Sequence, residues 1–289
     1  MTSFSVIVST YNRPDYLERV LHGYGAQTDR NFELVVADDG SGQSTADAIT
    51  RAREATGLPV VHVWHENAGF RKSLILNRAI EASRGEYLLF TDGDCIPRRD
   101  LIEVHRRLAR PRRFVAGGYL KLPEVVSAAI ELDDVALGRI AELSWLRAVG
   151  WKPGRRALRL SPSLFLARIY DALTPTSAEF QGNNASTWRD ALVEVNGFES
   201  DMGYGGLDKA LGYRLKNARV SGIQARHRAV AVHLHHDRPY RDADVIRRNR
   251  EIMSRILKEK ETRARIGLSE LRPDPSLRIN GKQVYGSSG

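Results

Sequence analysis

The sequence has a single cysteine, Cys95, among 289 residues. That scarcity excludes an internal disulfide and any metal cluster built from several thiolates, and a reducing cytoplasm becomes the simplest home. No apolar run approaches the roughly 20 residues that a membrane-spanning helix requires. The N-terminal stretch MTSFSVIVSTYNRP lacks a basic leader region and a cleavage site, so it does not read as a signal peptide. No internal repeat is visible. Helix-turn-helix, zinc-finger and RNP-like aromatic motifs are missing as well, which argues against nucleic acid as a partner.

What remains is an ordinary folded composition, 42% hydrophobic and 27% charged, long enough for one α/β domain with an elaboration. The net charge of +9 is concentrated in 98–113 and 247–265. Such runs read as solvated helix faces, or as surfaces that meet anionic lipid or a phosphate-bearing substrate.

Over residues 1–120, continuous apolar stretches alternate with helices of about a dozen residues. FSVIVS (4–9), FELVVAD (32–38), PVVHVW (59–64) and EYLLFTDGD (86–94) are the strands; helices fall between them, at 44–56 and 72–83 among others. This pattern predicts βαβ units and a parallel sheet, with ligands beyond the carboxyl ends of its strands. Those ends carry Ser9-Thr10-Tyr11, Asp38-Asp39, Glu66-Asn67 and Asp92-Gly93-Asp94. Residues 121–177 read as a helical insertion that packs on the sheet, covers an acceptor site or faces a membrane. The pattern resumes over 178–240. A basic helix at about 241–262 and a flexible tail, VYGSSG (284–289), end the chain.

Asp92-Gly93-Asp94 offers two carboxylates around a glycine, a donor set suited to a hard divalent cation such as Mn²⁺ or Mg²⁺, although Asp and Gly are also common in turns. Three histidines in four positions, His233, His235 and His236, close a strand-like run. Strand alternation puts His233 and His235 on one face and His236 on the other. His233, at the strand end, is the first candidate ligand, with His235 beside it. Asp208 follows a glycine-rich turn at the start of a helix, where it serves as a cap or as a general base for a hydroxyl. Cys95 reads as a small buried residue rather than a ligand.

In order, Ser9–Arg13, Ala37–Ser41, Gly69–Lys72, Asn77–Ile80 and Asp92–Pro97 resemble the motifs of family 2 glycosyltransferases. Gly182–Ser186, Asn196–Glu199, Gly203–Asp208 and His233-Leu234-His235 are similar to the acceptor-side block of galactosyltransferase-like enzymes. The resemblance implies a GT-A fold, with a Rossmann-like, mostly parallel sheet flanked by helices. It also implies metal-dependent, inverting transfer of a hexosyl or N-acetylhexosaminyl group from a nucleotide-sugar, a UDP-sugar by preference. The acceptor would be a hydroxyl of a glycan or lipid-linked glycan, with peripheral contact to an anionic membrane.

By the same resemblance 1–120 is the donor half, 178–240 the acceptor half and 241–289 a basic helix and tail. Thr10, Tyr11 and Arg13 would line the nucleotide pocket, Asp39 would contact the uracil, and Arg71 would reach the diphosphate. Asp92 would face the ribose and the metal's water shell. Asp94, His233 and His235 would hold the metal. Asp208 would be the base, and Asn183, Trp188 and Gly206 would meet sugar and acceptor. One departure stands out: Leu207 occupies the first acidic position of the usual Gly-Gly-Glu-Asp. Two rival readings remain, a non-catalytic carbohydrate-binding relative and a sugar nucleotidyltransferase. STYNRPDYL is a poor match to the phosphate loop that the latter needs.

Overall fold

The computed structural model describes residues 2–161, 163–237 and 242–285. In chain order the elements begin with β1 (Phe4–Thr10), α1 (Pro14–Gly25), β2 (Glu33–Asp38), α2 (Gln43–Thr56), β3 (Val60–Trp64) and α3 (Lys72–Ala82). β4 (Tyr87–Asp92), β5 (Cys95–Pro97), α4 (Leu101–Leu108) and β6 (Arg113–Lys121) complete the first part. Four short helices follow: α5 (Glu124–Ala128), α6 (Leu132–Ala136), α7 (Leu143–Ala148) and α8 (Leu164–Ala172). Then come β7 (Ala185–Trp188), α9 (Arg189–Glu194), α10 (Leu207–Asn217), β8 (Ser221–His233) and α11 (Ala243–Glu259). A small hairpin, β9 (Arg278–Ile279) and β10 (Lys282–Gln283), ends the described chain.

The strands form one mixed, mostly parallel sheet in the order β10-β9-β3-β2-β1-β4-β7-β6-β8-β5. β3, β2, β1 and β4 are mutually parallel; β7 runs antiparallel to both β4 and β6, while β6 and β8 are parallel. All seven β1 residues are buried, as a parallel strand covered on both faces requires. Their alternation feeds two cores. Phe4, Val6 and Val8 pack with α1 and α2 on one face, and Ile7 joins Ile75, Leu76 and Phe198 on the other. Pro14 starts α1 where its missing N–H costs nothing, and Gly57, at φ 66°, ends α2.

The 121–177 segment is a string of short helices. Val126, Val135, Leu146, Trp151 and Leu160 bury themselves in the first core. α8 is inverted. It buries Ala167 and Asp171, and Asp171 accepts from Arg228 Nε (2.6 Å) and the His227 N–H (2.7 Å). Leu164, Phe165, Leu166 and Ile169 face solvent instead.

The Asn196–Glu199 run is a clamp and does not line the cleft. Asn77 bonds both backbone groups of Phe198 (2.8 and 2.9 Å), and buried Glu199 pairs with buried Arg214 (2.5 Å). The basic helix expected at 241–262 is observed as α11, capped by Asp242; Arg241 lies outside the described residues. Of the expected flexible tail, Val284 and Tyr285 are described. Val284 is exposed and donates its N–H to the Leu277 carbonyl (3.0 Å). Tyr285 packs on the second core, with the Arg78 guanidinium 5.7 Å from its ring, while 286–289 lie outside the described residues.

Candidate active site

A cleft of about 1050 Å³ opens at the carboxyl ends of β1, β2 and β4, and the start of α10 and one face of α11 close it from the other side. The parallel register of β1 with β2 and β4 brings Thr10, Asp38 and Asp92 to one edge, which explains why residues so distant in sequence share a site.

The donor wall is tied to itself. Asp39 accepts from His65 Nε2 at one oxygen (2.8 Å) and from the Arg71 N–H at the other (2.9 Å). Asn12, at φ 47°, donates its N–H to Ser41 Oγ and accepts from the Gly42 N–H, binding the first two loops together. Tyr11, half exposed, accepts from Asn67 Nδ2 (2.8 Å). Thr10 Oγ1 is buried without a partner, and Arg13 reaches the cleft from the cap of α1.

Asp92 Oδ1 accepts from Ser9 Oγ (2.8 Å) and from Lys72 Nζ (2.6 Å). Burial opposes the Lys72 charge, but Asp92, Asp208 and Asp94 outweigh it and raise the ammonium's pKa, so the group stays charged. Asp94 lies 2.9 Å from His236 Nε2 and 3.9 Å from His233 Nε2. Burial pushes the Asp94 carboxyl up, yet the His236 hydrogen bond and the two histidines together carry it down to about 2.

His233 Nδ1 lies 2.6 Å from the Leu234 carbonyl. A carbonyl can only accept, so Nδ1 carries the proton and, in the neutral ring, the Nε2 lone pair points at Asp94. Cys95 Sγ completes a close group with Asp94 and His233, but burial and the neighbouring carboxylates hold its pKa well up. It remains a thiol and donates to Asp94 Oδ1 (3.2 Å). A carboxylate beside an imidazole lone pair fits a divalent first-row cation, and of the expected ions Mn²⁺ suits the nitrogen better than Mg²⁺.

The acceptor wall is less satisfied. Asp208, in the first turn of α10, has one buried oxygen without a partner. Burial raises its pKa and Asp92 adds to the rise; Lys72 and the Gly182 N–H work against it. A Cβ on Gly182 would stand 2.4 Å from Asp208 Oδ1, so a side chain there would displace the carboxylate. Next to it Asn183 Oδ1 is also buried and unpartnered. Behind them Asn184 bonds the carbonyls of Gly118 and Ala229 and accepts from buried His105, which fixes the loop. Gly206, at φ 99°, lines the cleft where a Cβ would meet Met253.

Three expected site residues lie elsewhere. The Arg71 guanidinium turns to the Glu66 carbonyl, because Arg71 caps α3 with its backbone on Asp39; Lys72, one residue on, enters the cleft instead. β8 ends at His233, so strand alternation lapses there. The His235 backbone bonds Ser127 and Tyr16, and it is His236, its ring stacked on His233 at 5.3 Å, that meets Asp94. Trp188 sits at the far end of β7, paired with Tyr87, and donates Nε1–H to the Arg110 carbonyl (2.8 Å); the antiparallel strand carries it away from the cleft.

Lys72 and Arg250 escaped the sequence reading, although each left a signal. A lysine in the first turn of a helix opposes the dipole and calls for an acidic partner. Ile246, Arg250 and Met253 follow helical spacing, and all three line the cleft.

Comparison with known proteins agrees with this fold. Residues 5–121 match the model "Glycosyl transferase family 2". Validoxylamine A glucosyltransferase from Streptomyces hygroscopicus subsp. jinggangensis is 29% identical over 233 residues, 73% of this chain and 50% of that protein. The chain spans half or less of the length of the first curated relatives it matches. Among solved structures, S. aureus TarS 1-349 in complex with UDP-GlcNAc is similar with a TM-score of 0.59 at 16% identity, covering 92% of this chain and 68% of that one. Mannosyltransferase PcManGT from Pyrobaculum calidifontis, in complex with GDP-Man and Mn²⁺, reaches 0.55 at 23% identity, covering 82% and 58%. These likenesses establish the GT-A fold, and residues 5–121 are similar to glycosyl transferase family 2.

Proposed function

We propose that this chain transfers a hexosyl or N-acetylhexosaminyl group from a nucleotide-sugar to a hydroxyl of a glycan or lipid-linked glycan, with inversion, and that Asp208 is the base. The observation that carries this reading is the buried, unpartnered oxygen of Asp208 in the same cleft as the Asp94–His233 pair. A single candidate base opposite the donor wall supports direct displacement. Asp208 would take the acceptor's proton as its oxygen attacks the anomeric carbon, and a raised pKa makes it the better base. Asp94 and His233 are the candidate ligands of a divalent cation, Mn²⁺ or Mg²⁺, which when bound would offset the charge of the diphosphate leaving group. Lys72, held in the cleft by Asp92, would add positive charge there.

UDP is the preferred nucleotide because the donor-side motifs resemble those of UDP-sugar users. Peripheral contact with an anionic membrane is supported by the outward apolar face of α8 and by 143–170, which has six Lys or Arg and no Asp or Glu. No helix among the described residues is long and apolar enough to cross a membrane. Co-sedimentation with anionic vesicles at low salt should fall when Phe165 and Leu166 become serine; unchanged binding would remove the membrane part.

The deciding test is calorimetric titration with UDP, GDP and dTDP, each with and without Mn²⁺, on the wild type and on Asp94→Ala. Metal-dependent binding of one nucleotide, lost in the variant, is the expected result. Binding of none of them would overturn the donor site and favour the non-catalytic alternative that Leu207 raises.

A further inference from the structure

Beside the active-site cleft lies a second, smaller cavity of about 140 Å³, and Tyr119 and Gln181 line both. Its construction starts in β8. The β6–β8 register jumps from Gly117↔Ala225 to Gly118↔Val230, so residues 226–229 bulge out of the ladder. Such bulges re-aim side chains next to functional sites. His227, whose pKa burial lowers, donates its backbone N–H to Asp171, and the Arg228 cation is accounted for by the same carboxylate. Arg226 is not, and it enters the small cavity.

Arg159, on the 3₁₀ turn Arg155–Leu160, joins Arg226 there, with Arg156 of the same turn on the rim. Arg159 donates to the Tyr119 carbonyl, but no carboxylate of the described residues pairs with any of the three guanidinium groups. Burial, Arg226 and Arg156 all disfavour the Arg159 charge. Glu179, the cavity's one acidic neighbour among the described residues, faces Lys209 at 3.5 Å. Three cations converging without a counter-ion store repulsion that a bound oxyanion would relieve, and planar guanidinium forks suit phosphate oxygens.

We infer that this cavity is an acceptor-anion subsite, which seats a phosphate group of the acceptor while the acceptor's hydroxyl reaches Asp208. The inference rests on the proposed transferase reading and narrows its acceptor to a phosphate-bearing molecule. Gln181 bounds both cavities, and its neighbour Gly182 touches Asp208. The anion and the reacting hydroxyl would therefore be separated by about the width of one residue of backbone. A cation cluster used for the donor's diphosphate would instead face Asp94, and these arginines do not line that cleft.

Arginine Nε–Hε NMR during titration with inorganic phosphate, with UDP and Mg²⁺ saturating the donor site, tests the assignment. The Arg159 and Arg226 resonances should shift together with one saturation curve, and chloride at equal ionic strength should not reproduce it. Arg226→Gln should weaken phosphate roughly tenfold and leave UDP affinity within twofold. Exposed Arg156→Gln, which removes no packing, should weaken it less. Phosphate affinity unchanged in both variants, or shifts matched by chloride, would overturn the subsite. Failure of UDP to bind would strike the donor reading instead, so the two failures are distinguishable. Competition then identifies the source: a soluble sugar phosphate that displaces inorganic phosphate points to a free acceptor, and displacement by dodecyl phosphate micelles alone points to a lipid-linked one.

Discussion

On the donor wall, Asp39 has both oxygens engaged and Asp94 is held ionised, down to about 2, by its histidines. Across the cleft, Asp208 keeps one buried oxygen unpartnered and its pKa is raised. The two walls thus treat the same chemical group in opposite ways. Neighbours that stabilise the charged form make a carboxylate a ligand or a strut, while burial without enough partners makes it a proton acceptor. Of the orphaned atoms on the donor side, His65 Nδ1 and Arg71 Nε lie behind the wall, while Thr10 Oγ1, a hydroxyl rather than a carboxylate, belongs to a residue that lines the cleft. The comparison teaches where to look for chemistry: at the polar group whose hydrogen bonds are unfinished.

The largest expected effect breaks the comparison at Asp208. Asp208→Asn should lower the transfer rate by about 10²–10⁴-fold while UDP affinity stays within twofold. Transfer within tenfold of wild type would put the base elsewhere. The same change should raise the melting temperature at neutral pH. A carboxyl whose pKa rises on folding gives stability that is greatest below its unfolded value and is lost as pH climbs through the folded one. Removing its ionisation removes that loss. Glu199, in the neighbouring motif, is the opposite case, satisfied by Arg214 and by the N–H groups of Arg265 and Ile266. Glu199→Ala leaves Arg214 buried and unpaired, so it should cost about 3–5 kcal/mol in denaturant unfolding.

A pH profile sharpens the contrast at moderate cost. The activity of the wild type should fall, as pH drops, at a value above the usual carboxylate range, because Asp208 must be deprotonated to act. Asp94 is ionised throughout that window, so its titration cannot produce the limb. An acid limb in the ordinary range of exposed carboxylates would deny Asp208 its role.

Much of this arrangement was legible in the sequence. Fully buried parallel strands leave continuous apolar runs, so β1, β2 and β4 and the polar residues at their ends could be read directly. Asp92, Asp94 and Asp208 meet because of that topology. What stayed hidden depends on pairings between distant segments. The direction of β7, which removes Trp188 from the cleft, has no local signature. Neither has the β8 bulge that frees Arg226, nor the β9–β10 hairpin on the edge of β3. α8 misleads for another reason: its anchor is a buried Asp171 network, and its apolar residues face outward, against the usual amphipathic rule.

The smallest effect concerns two adjacent histidines. Strand alternation places His235 with His233, but β8 stops at His233 and the backbone beyond it is held by Ser127 and Tyr16. Since both bonds use main-chain atoms, His235→Ala leaves them in place, and metal-dependent UDP affinity should stay within twofold. His236→Ala removes the ring that bonds Asp94 at 2.9 Å and stacks on His233, so it should weaken that affinity several-fold. Equal effects of the two changes would mean that the metal is held on the face that alternation assigns, and that the chain turns differently after His233. A larger loss from His236 alone would show that Asp94 is positioned by a residue beyond the end of the strand.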